Sequence, residues 1–132
     1  MNEPRTRTQT PAALRAAATA IVLREHAGEV QVLMARRHAS LAFMGGMWVF
    51  PGGALASADE SDAARDLVIA ADRCAFKLRD LTGQPVPQRT CVALAVAACR
   101  ETFEEAGILL ARRKDGSSAQ PEALARLQSQ RE

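Results

Sequence analysis

Residues 100–108 read RETFEEAGI, and three glutamates crowd the turns just before Gly107. Glu101, Glu104 and Glu105 stand at i, i+3 and i+4, so on a helix they share one face. Like charges at that spacing repel by a few tenths of a kcal/mol each. A helix C-terminus also prefers cations, so both local rules are broken at once. Such a conflict marks a functional site, and a divalent cation would resolve it.

Upstream of this block, a helix is predicted from a cap near Thr90 to about Ala106, with Gly107 as its left-handed terminator. On a helical wheel Val92, Ala95, Val96, Cys99, Phe103 and Ala106 fall within roughly 100° of arc, opposite the glutamates. The expected arrangement buries that stripe in a core and turns the acidic face towards an open site. Earlier, between Ser61 and Leu81, the residues Ala64, Leu67, Val68, Ala71, Ala75 and Leu78 recur at helical spacing, and Gly83 can end that helix. Gln84-Pro85-Val86-Pro87 reads as a linker.

Further upstream the pattern turns to strands. Ala17–Arg24 and Glu29–Arg36 are predicted as a hairpin joined by His26-Ala27-Gly28. Alternating Val30, Val32 and Met34 support the second strand, whereas the Ala-rich first one suits a helix equally on propensity. A brief strand at Met47–Phe50 is followed by a sharp break at Pro51-Gly52-Gly53, where two glycines let the backbone approach a neighbour closely. Downstream of the acidic block, Ile108–Ala111 is predicted as a strand and Arg112–Ser118 as a polar turn. A last helix follows from Pro121, with Leu124 and Leu127 inward.

The chain has 132 residues, enough for one domain. Hydrophobic residues make up 48% and aromatics only 4%, so the core must be built from Ala, Val, Leu and Met. Seventeen basic against fifteen acidic residues give +2, which argues against a nucleic-acid footprint. Cys74, Cys91 and Cys99 form no CxxC pair, which argues against a disulfide framework and a thiolate zinc site and fits a reducing cytoplasmic setting. No apolar run reaches the roughly 20 residues of a membrane helix. Residues 1–16, with Pro4 and Pro11, read as a flexible lead-in to a domain spanning 17–132.

Phe50-Pro51-Gly52-Gly53 followed by R-E-T-F-E-E-A-G-I resembles the Nudix hydrolase signature, whose second half reads R-E-U-x-E-E-x-G-U with U aliphatic. Every fixed position of that half is present, with Thr102 at a usually aliphatic place. The family pattern has thirteen residues between the second Gly and the Arg; here residues 54–99 intervene, 46 in all. The usual early glutamate would fall at Val92, so Arg100 needs another partner, for which the insertion (about 54–88) is the candidate source.

The insertion is similar to that of peroxisomal-type coenzyme A diphosphatases and their bacterial relatives. Leu33, Arg37, Gly46 and Phe50–Gly53 match their upstream motif, whereas Ala35, His38 and Ala42 do not, so the coenzyme A preference is expected to be weak.

The resemblance implies an α/β/α sandwich with a mixed sheet, and metal-dependent hydrolysis of a diphosphate linkage in a nucleoside-diphosphate-linked or coenzyme A-like substrate. It implies Mg²⁺ or Mn²⁺, with Glu104 and Glu105 as ligands and Glu101 as a further ligand or the base that activates water. A backbone carbonyl of Gly52 or Gly53 would be another ligand, Arg100 an orienting residue, and Arg37 either a substrate contact or a surface cation. Relatives continue with further strands and a helix that close the sandwich, so the C-terminal part is expected to be missing here. Self-association or partial unfolding and low turnover are the predicted result. The rival expectation is a non-catalytic fragment or binding module that keeps the metal site.

Overall fold

The structure is a computed structural model that describes residues 14–68 and 78–130. Short strands at the N-terminal side are followed by one long helix and a shorter terminal one. β1 (Ala17–Thr19) and β2 (Leu23–His26) lead into β3 (Glu29–Val32), β4 (Ala35–Arg36), β5 (Trp48–Val49) and β6 (Gly52–Ala54). A 3₁₀ turn (Ser57–Glu60) and the short helix α1 (Asp62–Asp66) open the insertion. α2 runs from Gln88 to Ala106, and α3 from Pro121 to Ser129.

The strands form three antiparallel pairs among the described residues: β1 with β6, β2 with β3, and β4 with β5. Each of the two long strands expected from the sequence is divided. Between β1 and β2 the Ala20 N–H donates to the Pro51 carbonyl at 2.9 Å, while Val22 accepts from Leu33. The chain thus changes partner in mid-run, from the FPGG strand to the hairpin, and a period-2 pattern cannot show such an exchange. The hairpin turn is tighter than expected, two residues long, with Ala27 at φ 53° and Gly28 at φ 79°. Positive φ at both central positions is the type I′ geometry that matches strand twist.

Pro51-Gly52-Gly53 is not a break. Gly52 and Gly53 lie inside β6, in register with Thr19 and Ala18. The alternation of Val30, Val32 and Met34 is present but faces outward: Val30 is 75% exposed, and no described element covers that face. Ile108–Ala111 forms no ladder among the described residues, so the strand expected there is corrected to an irregular segment.

In the insertion, Ser61 caps α1 by accepting from the Ala64 N–H at 3.1 Å. The predicted helical residues Ala71 and Ala75, and Cys74, lie outside the described residues. Leu78 and Gly83 do not belong to a helix. Asp80 accepts from the Thr82 and Gln84 N–H groups and closes a turn in which Gly83 has φ 82°.

α2 begins three residues earlier than the sequence suggests, with Pro87 rather than Thr90 at its cap position. It ends as expected, with Gly107 at φ 70° and its N–H bonded to the Phe103 carbonyl at 2.8 Å. The buried side of α2 is not the predicted stripe. Cys91, Val92, Ala93, Ala97 and Thr102 are buried, and the helix packs on β6, β1 and the 3₁₀ turn. Of the predicted stripe Val92 is fully buried, whereas Ala95, Val96, Cys99 and Phe103 line an open cavity of about 850 Å³ with Leu67, Leu109 and Leu110. The physical reason lies in β6: two residues without side chains let a helix approach on a face that includes acidic positions. At the far end Gln128 of α3 donates to the Gly107 carbonyl at 2.9 Å, tying the terminal helix to the end of α2, while Leu127, expected inward, is 42% exposed.

Candidate active site

Where α2 passes β6, the glycines set the distance. A Cβ on Gly52 would collide with the Ala18 carbonyl and lie 2.8 Å from the Thr19 Cα, so side-chain-free backbone is required for β1 and β6 to pair here. A Cβ on Gly53 would fall on the Glu101 carboxylate. The helix can therefore lay two acidic side chains directly on the strand backbone. Glu101 rests over Gly53, and Glu105 accepts a hydrogen bond from the Gly52 N–H at 3.1 Å.

Arg100 organises the rest. Its five N–H groups are all engaged, the full donor capacity of a guanidinium. Nε and Nη2 form a fork on Asp59, each at 3.0 Å. Nη2 also donates to the Ala54 carbonyl at 3.2 Å, and Nη1 donates to Glu101 and to Glu104, each at 2.9 Å. The partner that Arg100 lacked in the sequence is thus Asp59, supplied by the 3₁₀ turn at the start of the insertion. Asp59 is 3% exposed, and its Oδ2 also accepts from the Ala56 N–H at 2.8 Å.

The Arg100 hydrogen bonds hold the Asp59 carboxyl below the usual carboxylate range, against the opposing effect of burial. The same pairing raises Arg100 above its ordinary value, so the guanidinium is a permanent cation. Asp59 is the residue the sequence did not single out. Counted forward from Gly53 the family pattern's early acidic position falls at Asp59, whereas counting back from Arg100 across the insertion placed it at Val92.

Six of the seven residues singled out in the sequence are brought together: Gly52, Gly53, Arg100, Glu101, Glu104 and Glu105. Among the described residues no three acidic, His or Cys side chains already converge as a metal cage. Glu101 is well covered, while Glu104 is about half exposed. Arg37 is not joined to this group by a hydrogen bond or ion pair among the described residues. It follows β4, where its backbone exchanges bonds with Met47 and Gly46. Its Nε is buried without an acceptor.

Thr102, at the usually aliphatic position, is fully buried and satisfies its hydroxyl by donating to the Ala98 carbonyl at 2.7 Å. That back-bond is why a polar residue is tolerated there. Cys99 is half-buried beside the cavity, and burial pushes its thiol up, away from reactivity. No helix among the described residues is long and apolar enough to cross a membrane.

A family model described as the NUDT19 Nudix domain matches residues 7–132. The acyl-coenzyme A diphosphatase NUDT19 of Gallus gallus is 34% identical over 114 residues, covering 70% of this chain and 30% of that protein. Among solved structures, the crystal structure of a NUDIX hydrolase from Alicyclobacillus acidocaldarius is similar at a TM-score of 0.59 and 32% identity, covering 92% of this chain and 51% of that one. The chain therefore spans less than a third of the chicken protein and about half of the bacterial one.

Proposed function

Because the chain belongs to the Nudix family, in the group of NUDT19 Nudix domains, we propose that it carries the catalytic face of a metal-dependent diphosphatase. The reaction is hydrolysis of a diphosphate linkage in a coenzyme A-like or nucleoside-diphosphate-linked substrate. The observation that carries this reading is the fully engaged Arg100, which gathers Glu101 and Glu104 beside the Gly52–Gly53 strand where Glu105 is already docked.

The donors at this face are carboxylate and peptide oxygens, the chemistry that suits a hard divalent cation such as Mg²⁺ or Mn²⁺. Glu101, Glu104, Glu105 and a carbonyl of Gly52 or Gly53 are the groups that would hold it. Such a cation, when bound, neutralises charge developing on the diphosphate and lowers the pKa of water. The chain's own contribution is orientation. Arg100 fixes one oxygen each of Glu101 and Glu104, the Gly52 N–H fixes Glu105, and the bare Cα of Gly53 leaves room for Glu101. Glu101 remains available either as a ligand or as the base that takes a proton from water.

Similarity to the chicken acyl-coenzyme A diphosphatase supports a coenzyme A-like substrate, against the weaker preference expected from Ala35, His38 and Ala42. A buried Arg37 Nε without an acceptor supports Arg37 as a contact for an anionic substrate group.

The test is a screen of coenzyme A, an acyl-coenzyme A, NADH, ADP-ribose and nucleoside triphosphates with Mg²⁺ or Mn²⁺. It is run on this chain and on any longer chain containing it. Turnover that needs the cation and disappears in Glu105→Gln is expected. Metal-independent turnover, or full activity of Glu105→Gln, would overturn the reading.

A further inference from the structure

We propose that the loop joining β4 to β5 is a docking surface for an anionic lipid bilayer. The loop stands clear of the rest of the chain, and every residue from His38 to Gly45 is exposed. Its side chains are nevertheless large and apolar. Phe43 is 73% exposed, and Leu41, Met44, Met47 and Trp48 are each 45–60% exposed. Five such groups on one short loop make an apolar patch that calls for a partner.

The loop does not fold over to hide them, because its backbone is fixed from within. The Arg37 N–H donates to the Met47 carbonyl at 3.0 Å and the Gly46 N–H to the Arg37 carbonyl at 3.1 Å, which closes the neck. Inside the loop the Leu41 N–H donates to the His38 carbonyl at 3.1 Å. Gly45 lies so close to the Ala39 and Leu41 carbonyls that a Cβ could not be fitted there.

Charge selects the partner. Arg36 and Trp48 are direct partners in the β4–β5 pair, so their side chains leave the same face. Arg36 Nε donates to the Gly46 carbonyl at 3.2 Å, which lays the cation along the base of the loop. Arg36 forms no ion pair among the described residues, and residues 30–58 contain neither Asp nor Glu. An apolar tip with an indole and a guanidinium at its base matches the layers of a bilayer: hydrocarbon first, then headgroups where aromatic rings and cations settle. A two-fold contact with a second copy would instead set Arg36 against Arg36, with no acid nearby to offset them. The loop rests on the bilayer and does not cross it. This proposal is independent of the diphosphatase reading.

Flotation with vesicles of phosphatidylcholine, alone or mixed with phosphatidylserine, tests it. The chain should rise with the mixed vesicles, more weakly with phosphatidylcholine alone, and less as salt is added. Trp48 is the sole tryptophan, so its emission should shift to the blue on the mixed vesicles. Phe43→Ser, which alters a side chain already in solvent, should weaken binding about tenfold or more. Arg36→Gln should weaken it about fivefold on the mixed vesicles and leave phosphatidylcholine alone unaffected. Leu81→Ser removes an apolar group that is 98% exposed outside the loop and should stay within about twofold of wild type. Absence of flotation, flotation without a shift of Trp48 emission, or an equal loss in Leu81→Ser would overturn the proposal. So would Phe43→Ser dispersing oligomers of the chain while vesicles recover none of the wild type, since the loop would then serve contact between copies.

Discussion

Gly52 and Gly53 are adjacent and chemically identical, yet their neighbours make them opposites. A Cβ at Gly52 meets backbone of β1, which cannot move without breaking the strand pair. A Cβ at Gly53 meets the end of a flexible side chain, the Glu101 carboxylate, which can swing away. Gly52→Ala is therefore expected to lower stability by about 1–3 kcal/mol, the range for overpacking. Gly53→Ala should cost less than about 1 kcal/mol in folding because the obstacle is a rotatable carboxylate. It should nevertheless weaken Mn²⁺ binding by displacing Glu101. Urea melts and calorimetry on the two variants check this, and the same stability loss in both would show the assignment of neighbours to be wrong.

Asp59 gives a pH prediction at the same scale. Its folded pKa lies below the ordinary value because Arg100 donates to it. The stabilisation it adds is fully present above the unfolded carboxylate value of about 4 and is lost as pH falls through the folded value. Breaking this covered pair should cost about 3 kcal/mol at neutral pH. The stability difference between wild type and Asp59→Asn should hold from pH 7 to about 5 and shrink below about 4. Urea midpoints across that range are the measurement. A difference that grows towards acid pH would contradict the sign.

Among the elements, the β2–β3 hairpin shows where local chemistry and geometry disagree. Its type I′ turn puts Ala27 at φ 53°, a conformation in which Cβ crowds the following carbonyl. Both strands are largely exposed, so the turn is a sizeable part of what defines their register. Ala27→Gly should raise stability by about 0.5–1 kcal/mol, relief of strain outweighing added chain entropy. A lower melting temperature in that variant would mean that the turn is not type I′ in solution. Helix α2 has the reverse character at its end, where the residue that must take positive φ is already a glycine, Gly107. That agreement is why the C-terminus of α2 was legible and its N-terminus was not. A left-handed cap demands a residue type, whereas Pro87 at the cap position makes no side-chain hydrogen bond and so leaves no distinctive pattern.

On the scale of the molecule, much apolar surface lies open. Leu23, Val30, Phe43, Met47 and Trp48 are more than half exposed, and Val96, Cys99 and Phe103 line a cavity of about 850 Å³. Apolar surface left in water forgoes roughly 25 cal/mol per Å² and favours association, and the short strands present unpaired edges. The 132-residue chain is expected to self-associate with rising concentration, as sedimentation velocity would show. An environment-sensitive apolar dye should bind it in the folded state. A strictly monomeric chain that excludes the dye would mean that these surfaces are covered in solution.

By itself the sequence determined the features that one residue type at one spacing can specify. The acidic block before Gly107, the Arg that orients it, the glycine pair that meets it and the helical character of residues 88–106 belong to this class, because charge repulsion, positive φ and side-chain-free backbone each narrow the choice of residue. Only the tertiary structure showed that the chain folds back across the insertion to set Asp59 on Arg100. Asp59, Glu60 and Asp62 are alike as carboxylates, and the 3₁₀ turn buries the first of them against Arg100. It also decided which side of α2 packs. A helical wheel ranks faces by apolarity, but the closest approach is set by the neighbour, and the two glycines of β6 admit the Glu101 carboxylate where bulkier residues would have kept the helix away.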